Sequence, residues 1–303
     1  LAAVVAAGNQ AQTSMSDLGM ALLDDPRITA LGLHIEGISD LRAFEALAAR
    51  ASALGKPIAA LRVGSSEQAQ AAAVSPPASL PGSDAGARAL LRRLGIAQVD
   101  TPSELVETLK ILHVTGGLRS ARIASASCSG GEASLMADIG EIAGVTYPGL
   151  NDAQSSGLRT ALGPKVALAN PLDYNTYIWG NEEALTATFT ALCEPGADLG
   201  LGCVVVDYPR RDRFDAPDYD QVLRAIARTR EATGTPMAMV SLLAEGLSET
   251  VAEKALAMGI VPLCGMGDAL RAIRAAVVER DGRWSVTTSH GPWKPGSLWT
   301  GSP

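Results

Sequence analysis

The stretch "ITALGLHIEGISDLRAFEALAARASALGKPIAALRVG", residues 28–64, decides the fold class. Two short apolar runs, 28–37 and 56–64, flank a segment with the 3.6-residue periodicity of a helix, 40–55. Gly55, Lys56 and Pro57 end that helix and begin the second run. Near-continuous apolar strands joined by helices are typical of parallel sheets. The stretch therefore predicts two parallel strands connected by a crossover helix, as in an α/β protein.

The same alternation extends outward through most of the chain. Further strands are predicted at 1–8, 96–100, 121–127, 145–149, 197–209, 235–243 and 260–265. Further helices are predicted at 15–25, 84–95, 101–114, 131–144, 181–194, 217–234, 248–259 and 266–279.

The length and the spacing of this pattern predict two α/β domains. A chain of 303 residues is longer than one typical domain, and the short pair Gly116-Gly117 separates two similar halves. We expect domains at 1–116 and 117–280 that pack against each other. An aperiodic tail, 281–303, holds three of the four tryptophans.

Composition excludes several classes of function. The formal net charge is −7, and no Lys/Arg cluster interleaves with aromatic residues, so we expect no nucleic-acid partner. No apolar run is long enough to span a membrane, and the N-terminus lacks the charged start of a signal peptide, which predicts a cytoplasmic protein without membrane contact. The four cysteines form no CxxC pair, which argues against a zinc site and a disulfide framework.

Loops that follow strands are the places where a parallel sheet binds ligands, because helix N-termini there present free N–H groups. Neither GxGxxG nor GxxxxGK[ST] occurs in the chain, which excludes those two nucleotide sites. Ser129, Gly130 and Gly131 follow a strand and open a helix whose first turn carries Glu132. Their backbone can cradle a phosphate, although a plain strand-to-helix turn is an equal alternative.

Three further places hold candidate chemistry. Cys128, beside that helix N-terminus, is a weaker candidate for a thiol with a lowered pKa that acts as a nucleophile. The two-residue period of a strand puts His34 and Glu36 on one face, with Glu36 nearer the carboxyl end. Asn170 and Asp173, in "ANPLDYNTYIWGN", face a ligand or serve only as loop structure. His113 and His290 belong to no recognisable constellation.

Four stretches in the same order carry a resemblance to a known family: "VVAAGNQAQTSMSDLGMALLDDPRITALGLHIEGI" (4–38), "KPIAALRVGSSEQAQAAAVSPPASLPGSD" (56–84), "SCSGGEASLMADI" (127–139) and "NPLDYNTYIWG" (170–180). Together they resemble the NDP-forming acyl-CoA synthetases, relatives of succinyl-CoA synthetase. The resemblance covers about residues 1 to 280. It implies two flavodoxin-like three-layer domains with parallel sheets.

The loop that carries the family's phosphohistidine is altered here. The family reads close to "SHTGALAGSD", whereas residues 75–84 read "SPPASLPGSD". Pro76 occupies the histidine position, and Pro77 and Pro81 replace two further residues. The family reaction needs a ring nitrogen that accepts a phosphoryl group and passes it on, and proline offers only a tertiary amide. We expect this loop to be inactive.

The resemblance also implies the other site residues. Glu36 matches the acid that orients the histidine ring. The residues implied to bind phosphate are Gly8, Asn9, Ser129, Gly130 and Gly131, and those implied to face the substrate are Asn170 and Asp173. No metal ligand and no cofactor are assigned to this chain. CoA and ATP or ADP with Mg²⁺ are implied for the complete enzyme.

The implied function is that of the ligase core of an NDP-forming acyl-CoA synthetase, as a fragment or subunit, acting on a carboxylic acid. Its partners would be a CoA-binding domain and an ATP-grasp domain, on flanking sequence or on a partner subunit, in an oligomer. By itself the chain is expected to be inactive. The alternatives are a non-catalytic scaffold that retains an anion pocket and, more weakly, an acyl transferase that depends on Cys128.

Overall fold

The computed structural model describes residues 1–8, 10–64, 66, 68, 84–209 and 217–278. Within these residues, helices and parallel strands alternate as the sequence predicts. The strands are β1 (Leu31–Ile35), β2 (Ile58–Arg62), β3 (Ile96–Val99), β4 (Ile123–Ser127), β5 (Leu172–Asp173), β6 (Leu201–Val205), β7 (Met237–Ser241) and β8 (Val261–Cys264).

The α-helices of the described part are α1 (Met15–Leu23), α2 (Leu41–Ala53), α3 (Asp84–Arg93), α4 (Pro102–Thr115), α5 (Gly130–Ala143), α6 (Asp152–Leu162), α7 (Glu182–Leu192), α8 (Pro217–Thr233), α9 (Glu249–Ala257) and α10 (Met266–Ala275). Local capping explains several of their starts. The Asp40 carboxylate accepts the backbone N–H groups of Arg42 and Ala43, and the Thr101 hydroxyl accepts that of Glu104.

The first sheet is parallel and has the sequential order β1-β2-β3. Leu33 and Ile35 of β1 are buried in one core with Phe44 and Leu47 of α2. The opposite face receives α4, whose Leu109 lies so close to Gly32 that a Cβ there would approach it to 2.6 Å. The glycine therefore allows the close contact between the helix and the strand.

The second sheet is parallel and has the order β5-β4-β6-β7-β8. The chain passes from β4 outward to β5 and then returns to the other side of β4, so the direction of winding reverses between β4 and β6. This is the strand order of a flavodoxin-like sheet, and ligands of such sheets bind at the carboxyl ends of the strands that flank the reversal. The two sheets confirm the predicted α/β fold with parallel sheets.

Two predicted strands are wrong. Residues 1–8 form no strand, and Leu1 and Val4 are 95% and 84% exposed, because no described strand pairs with their backbone. Residues 145–149 make only an isolated bridge, between Thr146 and Arg122. Pro148 lacks the N–H that a longer ladder would require.

Two elements were not predicted. Helix α6 begins with a capping box in which Asn151 and Gln154 exchange side-chain to backbone hydrogen bonds. Gly157, inside this helix, packs closely on Ala191 of α7. The position therefore holds no large apolar residue, and the apolar periodicity that predicts a helix is weaker there. Strand β5 has only two residues, which is too short for a periodic signal.

Helix α4 joins the two halves. Arg271 of α10 donates to Glu104 over 2.5 Å, and the N–H of Cys264 donates to Glu107 over 2.9 Å. Burial raises the pKa of Glu107, although Lys110 lies 2.6 Å away. The two halves therefore pack against each other as expected, while the boundary at 116/117 stays a prediction. No helix in the described ranges combines the length and the apolar character that crossing a membrane would require.

Candidate functional site

The carboxyl edge of the first sheet presents Glu36 directly after β1. Its side chain is exposed, as is His34 two residues earlier, whereas Leu33 and Ile35 between and beside them are buried. Glu36 borders a small cavity of about 10 Å³ that Arg62 and Ile38 also line. The strand period thus places His34 and Glu36 on one face, as predicted.

An ion-paired cluster closes this edge. Arg62, at the end of β2, lies 2.5 Å from Asp84, the first residue of α3, and Arg88 lies 2.8 Å from the same carboxylate. The hydrogen bond from Arg88 lowers the pKa of Asp84, and Arg62 adds to the effect. The sequence reasoning did not identify Arg62, because its partner is 22 residues away in the chain.

The proline-containing loop, with Ser75, Pro76, Pro77 and Pro81, lies outside the described residues, as does Asn9. Gly8 is exposed and has a positive φ of 55°. The roles of Gly8, Asn9 and Pro76 at a phosphotransfer site stay predictions.

The carboxyl edge of the second sheet is where the winding reverses. Helix α5 begins at Gly130, and its N-cap residue Ser129 makes no side-chain hydrogen bond to the first turn. The N–H groups of this turn are therefore not capped by that hydroxyl. A Cβ at Gly130 would lie 3.2 Å from Oδ2 of Asp173, which places the carboxylate of Asp173 directly beside the helix N-terminus.

Three carboxylates gather at this edge: Glu132 in the first turn of α5, Asp173 at the end of β5, and Asp207 after β6. None of the ion pairs among the described residues involves any of them. Burial raises the pKa of Glu132, and the charges of Asp207 and Asp173 raise it further. Oε2 of Glu132 is buried without a hydrogen-bond partner.

Backbone and hydroxyl donors hold the two aspartates in place. Asp207 Oδ1 accepts the Ser241 hydroxyl over 2.5 Å and the N–H of Leu242 over 2.9 Å. Asp173 Oδ1 accepts the N–H of Asn175 over 2.9 Å, which fixes the turn that follows β5. Asp207 was missed by the sequence reasoning. It follows the apolar run of β6, and the rule that ligand-facing groups lie at strand ends could have found it.

Two buried hydroxyls beneath this edge also lack partners. Tyr174 and Ser125 are 0% and 1% exposed, and neither hydroxyl makes a hydrogen bond. The Tyr174 ring packs edge-on against Phe189 with 5.6 Å between the ring centroids. Burial raises the pKa of Tyr174, and the nearby groups of Cys128, Glu132 and Asp173 act in the same direction.

Cys128 does not have the environment of an activated thiol. Burial raises its pKa, and the negative charges of Glu132 and Asp173 raise it further. The hypothesis that the start of α5 lowers this pKa is therefore wrong, because the carboxylates oppose the helix dipole.

Asn170 holds the loop before β5. Its Oδ1 accepts the N–H of Ser125 over 3.0 Å, and its Nδ2 donates to the carbonyls of Ile123 and Pro148. These bonds engage both ends of the amide, so Asn170 positions the strand end that carries Asp173. A direct contact with substrate stays a prediction.

His113, in the last turn of α4, has its ring Nδ1 within 2.7 Å of the Thr29 hydroxyl, far from either carboxyl edge, and His290 lies outside the described residues. Among the described residues, no group of three or more His, Cys, Asp or Glu side chains is arranged to hold a metal ion.

Comparison with known proteins identifies relatives of both halves. Residues 1–112 match the family model described as the succinyl-CoA ligase like flavodoxin domain. The chain is 32% identical over 208 residues to a trans-feruloyl-CoA synthase from an unknown prokaryotic organism. It is 30% identical over 203 residues to the alpha subunit of the ADP-forming acetate–CoA ligase II of Pyrococcus furiosus.

These alignments cover 69% and 67% of this chain but only 29% and 44% of the relatives. A solved apo acetyl-coenzyme A synthetase 1 of Ca. Korarchaeum cryptofilum superposes with a TM-score of 0.69 at 19% identity, over 90% of this chain and 57% of that protein. The matches confirm the predicted resemblance to the NDP-forming acyl-CoA synthetases and the two-sheet fold. They also establish that the chain spans less than half of the length of these curated relatives.

Proposed function

We propose that this chain is the ligase core of an NDP-forming acyl-CoA synthetase, as a fragment or a subunit, with Pro76 at the phosphohistidine position. The complete reaction joins a carboxylic acid, CoA and NTP to give acyl-CoA, NDP and phosphate. The observation that carries the proposal is the match of residues 1–112 to the succinyl-CoA ligase like flavodoxin domain, together with relatives that are acid–CoA ligases.

Pro76 removes the phosphotransfer step from this core. A relay through histidine requires a nitrogen lone pair that forms a labile P–N bond, and the ring nitrogen of proline is an amide without such a lone pair. Glu36 is exposed at the end of β1, free to contact a group that approaches from solvent. The core thus keeps the acid of the proposed site but not its phosphoryl acceptor.

Phosphate binding at Ser129-Gly130-Gly131 depends on the protonation of Glu132. Ionised carboxylates beside the helix N-terminus repel an anion, whereas a protonated carboxyl donates a hydrogen bond to it. The raised pKa of Glu132 favours the protonated form. We therefore propose that phosphate binds here more tightly as the pH falls.

Nucleotide and CoA would be held by other domains. Neither a GxGxxG nor a GxxxxGK[ST] motif is present in the chain, and the curated relatives extend well beyond the aligned region. A CoA-binding domain and an ATP-grasp domain, on flanking sequence or a partner subunit, would complete the enzyme.

A loop repair tests the proposal. The triple variant P76H/P77T/P81A restores the family residues at the three proline positions, and P76Q/P77T/P81A is the matched control without an imidazole. Each chain is incubated with partner domains of the ferulate or acetate enzymes and γ-labelled ATP. We expect an acid-labile phosphoryl group only on the histidine variant. Stable acid-labile labelling of the unaltered chain would overturn the inactive-loop claim.

A non-catalytic scaffold with an anion pocket is the second candidate, and the three prolines of residues 75–84 favour it. Calorimetry with phosphate, an acyl phosphate and CoA separates the two functions. A scaffold that retains only an anion pocket binds phosphate and the acyl phosphate with similar Kd. A ligase core binds the acyl phosphate more tightly than phosphate, because the acyl group adds contacts with the substrate site.

A further inference from the structure

A second, larger cavity lies between the two halves, beside β3 of the first sheet and remote from the carboxyl edge of the second sheet. Its volume is about 340 Å³, and its walls are the free edge of β3, the start of α4 and one face of α10. Ala143, at the C-terminal end of α5, also lines it. Helix α5 has 14 residues and starts at the carboxyl edge of the second sheet, so its C-terminal end lies about 20 Å from that edge. The cavity, at this end of α5, is therefore about 20 Å from the carboxyl edge of the second sheet.

The charges that line this cavity are not balanced. Three arginines, Arg92, Arg271 and Arg274, face two carboxylates, Asp100 and Glu104. Glu104 is paired with Arg271 over 2.5 Å, as the cross-link between the halves.

The second carboxylate is neutralised from outside the cavity. Asp100 is paired with Arg88 over 2.9 Å, and Arg88 is not part of the cavity wall. No ion pair in the described part of the chain involves Arg92 or Arg274. Two guanidinium groups therefore remain uncompensated, in a chain whose formal net charge is −7.

The cavity also offers neutral hydrogen-bond donors. Among the described strands, β3 pairs only with β2, so its other edge is unpaired where Ile96, Ala97 and Gln98 line the cavity, and an unpaired strand edge offers backbone N–H groups. Domain interfaces with apolar walls and a few converging polar groups are frequent ligand sites, and volumes above roughly 300 Å³ are typical of them. Guanidinium groups are well suited to oxyanions, because their N–H groups bind two oxygens at once.

We propose that this interdomain cavity binds a small dianionic ligand, with Arg92 and Arg274 as its two cationic contacts. Arg92 lies on the first half and Arg274 on the second, so one ligand would bridge them. The site is separate from the phosphate site proposed at Gly130 and does not depend on the reaction proposed above. Phosphate esters and dicarboxylates share the required charge, and the experiment distinguishes them.

The test is calorimetric titration of the full chain with pyrophosphate and with malonate, at low and at moderate ionic strength. We expect saturable heat with at least one of them and weaker binding at higher salt. The double variant R92Q/R274Q should raise Kd at least tenfold, whereas R92K/R274K, which keeps the charge but not the bidentate guanidinium geometry, should raise it less. The control R42Q removes an exposed arginine outside the cavity and should leave Kd unchanged.

The preference between the two probes identifies the ligand class: binding of pyrophosphate indicates a phosphate ester, and binding of malonate indicates a dicarboxylate. Thermal melts of every variant confirm that the fold is intact, which the exposed positions of Arg92 and Arg274 favour. No saturable heat with either probe, or an unchanged Kd in R92Q/R274Q, would overturn the proposal. R92Q/R274Q and R92K/R274K alter only this cavity, so an unchanged Kd in both variants overturns the cavity site and leaves the phosphate site at Gly130 unaffected.

Discussion

The carboxyl edges of the two sheets are chemically opposite. In the first sheet, whose strands follow one another in order, the charges form ion pairs, with Asp84 between Arg62 and Arg88. In the second sheet, where the winding reverses, the carboxylates of Glu132, Asp173 and Asp207 have no ion-pair partner among the described residues.

The difference distinguishes charges that stabilise the fold from charges that are available to a ligand or a proton. Paired charges near the surface contribute little beyond holding α3 to the end of β2. Buried polar groups without partners cost free energy, so a protein that retains them indicates a site where a ligand or a proton completes the set. The second edge thus remains the stronger candidate for binding, although the altered loop belongs to the first half.

Removing the side chain of Tyr174 should give the largest effect. Tyr174→Ala leaves a cavity beside Phe189 and should lower the free energy of unfolding by about 3–5 kcal/mol, measured by guanidinium titration. Tyr174→Phe, the matched control, should be neutral or slightly stabilising, since the hydroxyl has no partner. If Tyr174→Phe lowers the free energy of unfolding by more than about 1 kcal/mol, the hydroxyl makes a hydrogen bond in the folded state. The second edge would then hold one unpartnered group fewer, and the contrast between the two carboxyl edges would be smaller.

Glu132→Gln tests the unpaired carboxylate through its pH dependence. Burial raises the folded-state pKa of Glu132 above its ordinary value of 4.5, so the native state binds the proton more tightly than the unfolded chain. Stability therefore falls as the pH rises above the unfolded pKa, and the penalty is complete above the folded pKa. Glutamine does not ionise, so the variant should be more stable than the parent at neutral pH.

The expected gain is below about 1 kcal/mol, because solvent screens a half-buried carboxylate. The gain in stability should vanish at pH values below the unfolded-state pKa of Glu132, its ordinary value of 4.5. Urea midpoints over this pH range measure it. Glu141→Gln, on the exposed side of the same helix, is the control and should show no such trend. Equal curves for the two variants would contradict the assigned desolvation of Glu132.

Arg62→Gln should give the smallest effect, because it breaks one partly exposed pair. We expect a loss of about 0.5 kcal/mol in the free energy of unfolding, reduced further by salt. The pKa of Asp84 is lowered from 3.8, so its contribution is present above that value and is lost as the pH falls through the folded pKa. A loss that is insensitive to salt and persists below that pH would mean that Arg62 acts through packing instead.

The local signals in the sequence predicted most elements of the fold. The periodic segment 40–55 with Gly55 as a stop predicted α2, and the apolar run before Ser129 predicted β4 and the start of α5. The prediction of a strand at 1–8 was wrong, because apolar character alone does not supply a neighbouring strand.

The candidate site was only partly predictable. Glu36, Glu132 and Asp173 follow from the rule that ligands bind at strand ends. Tyr174 does not, because its burial depends on Phe189 of a helix that lies later in the chain. The raised pKa of Cys128 was also unpredictable, since it arises from burial and from the carboxylates that the fold brings beside it.

The amino-acid sequence by itself determined the alternation of strands and helices and the presence of proline, which has no imidazole nitrogen, at position 76, because periodicity and the atoms of a side chain are local properties. Only the tertiary structure decided the strand order β5-β4-β6-β7-β8, the grouping of three carboxylates at the reversal, and the uncompensated arginines between the halves. Strand order, burial and charge balance depend on which distant segments pack together. The free energy of a charged group depends on the environment that this packing creates around it.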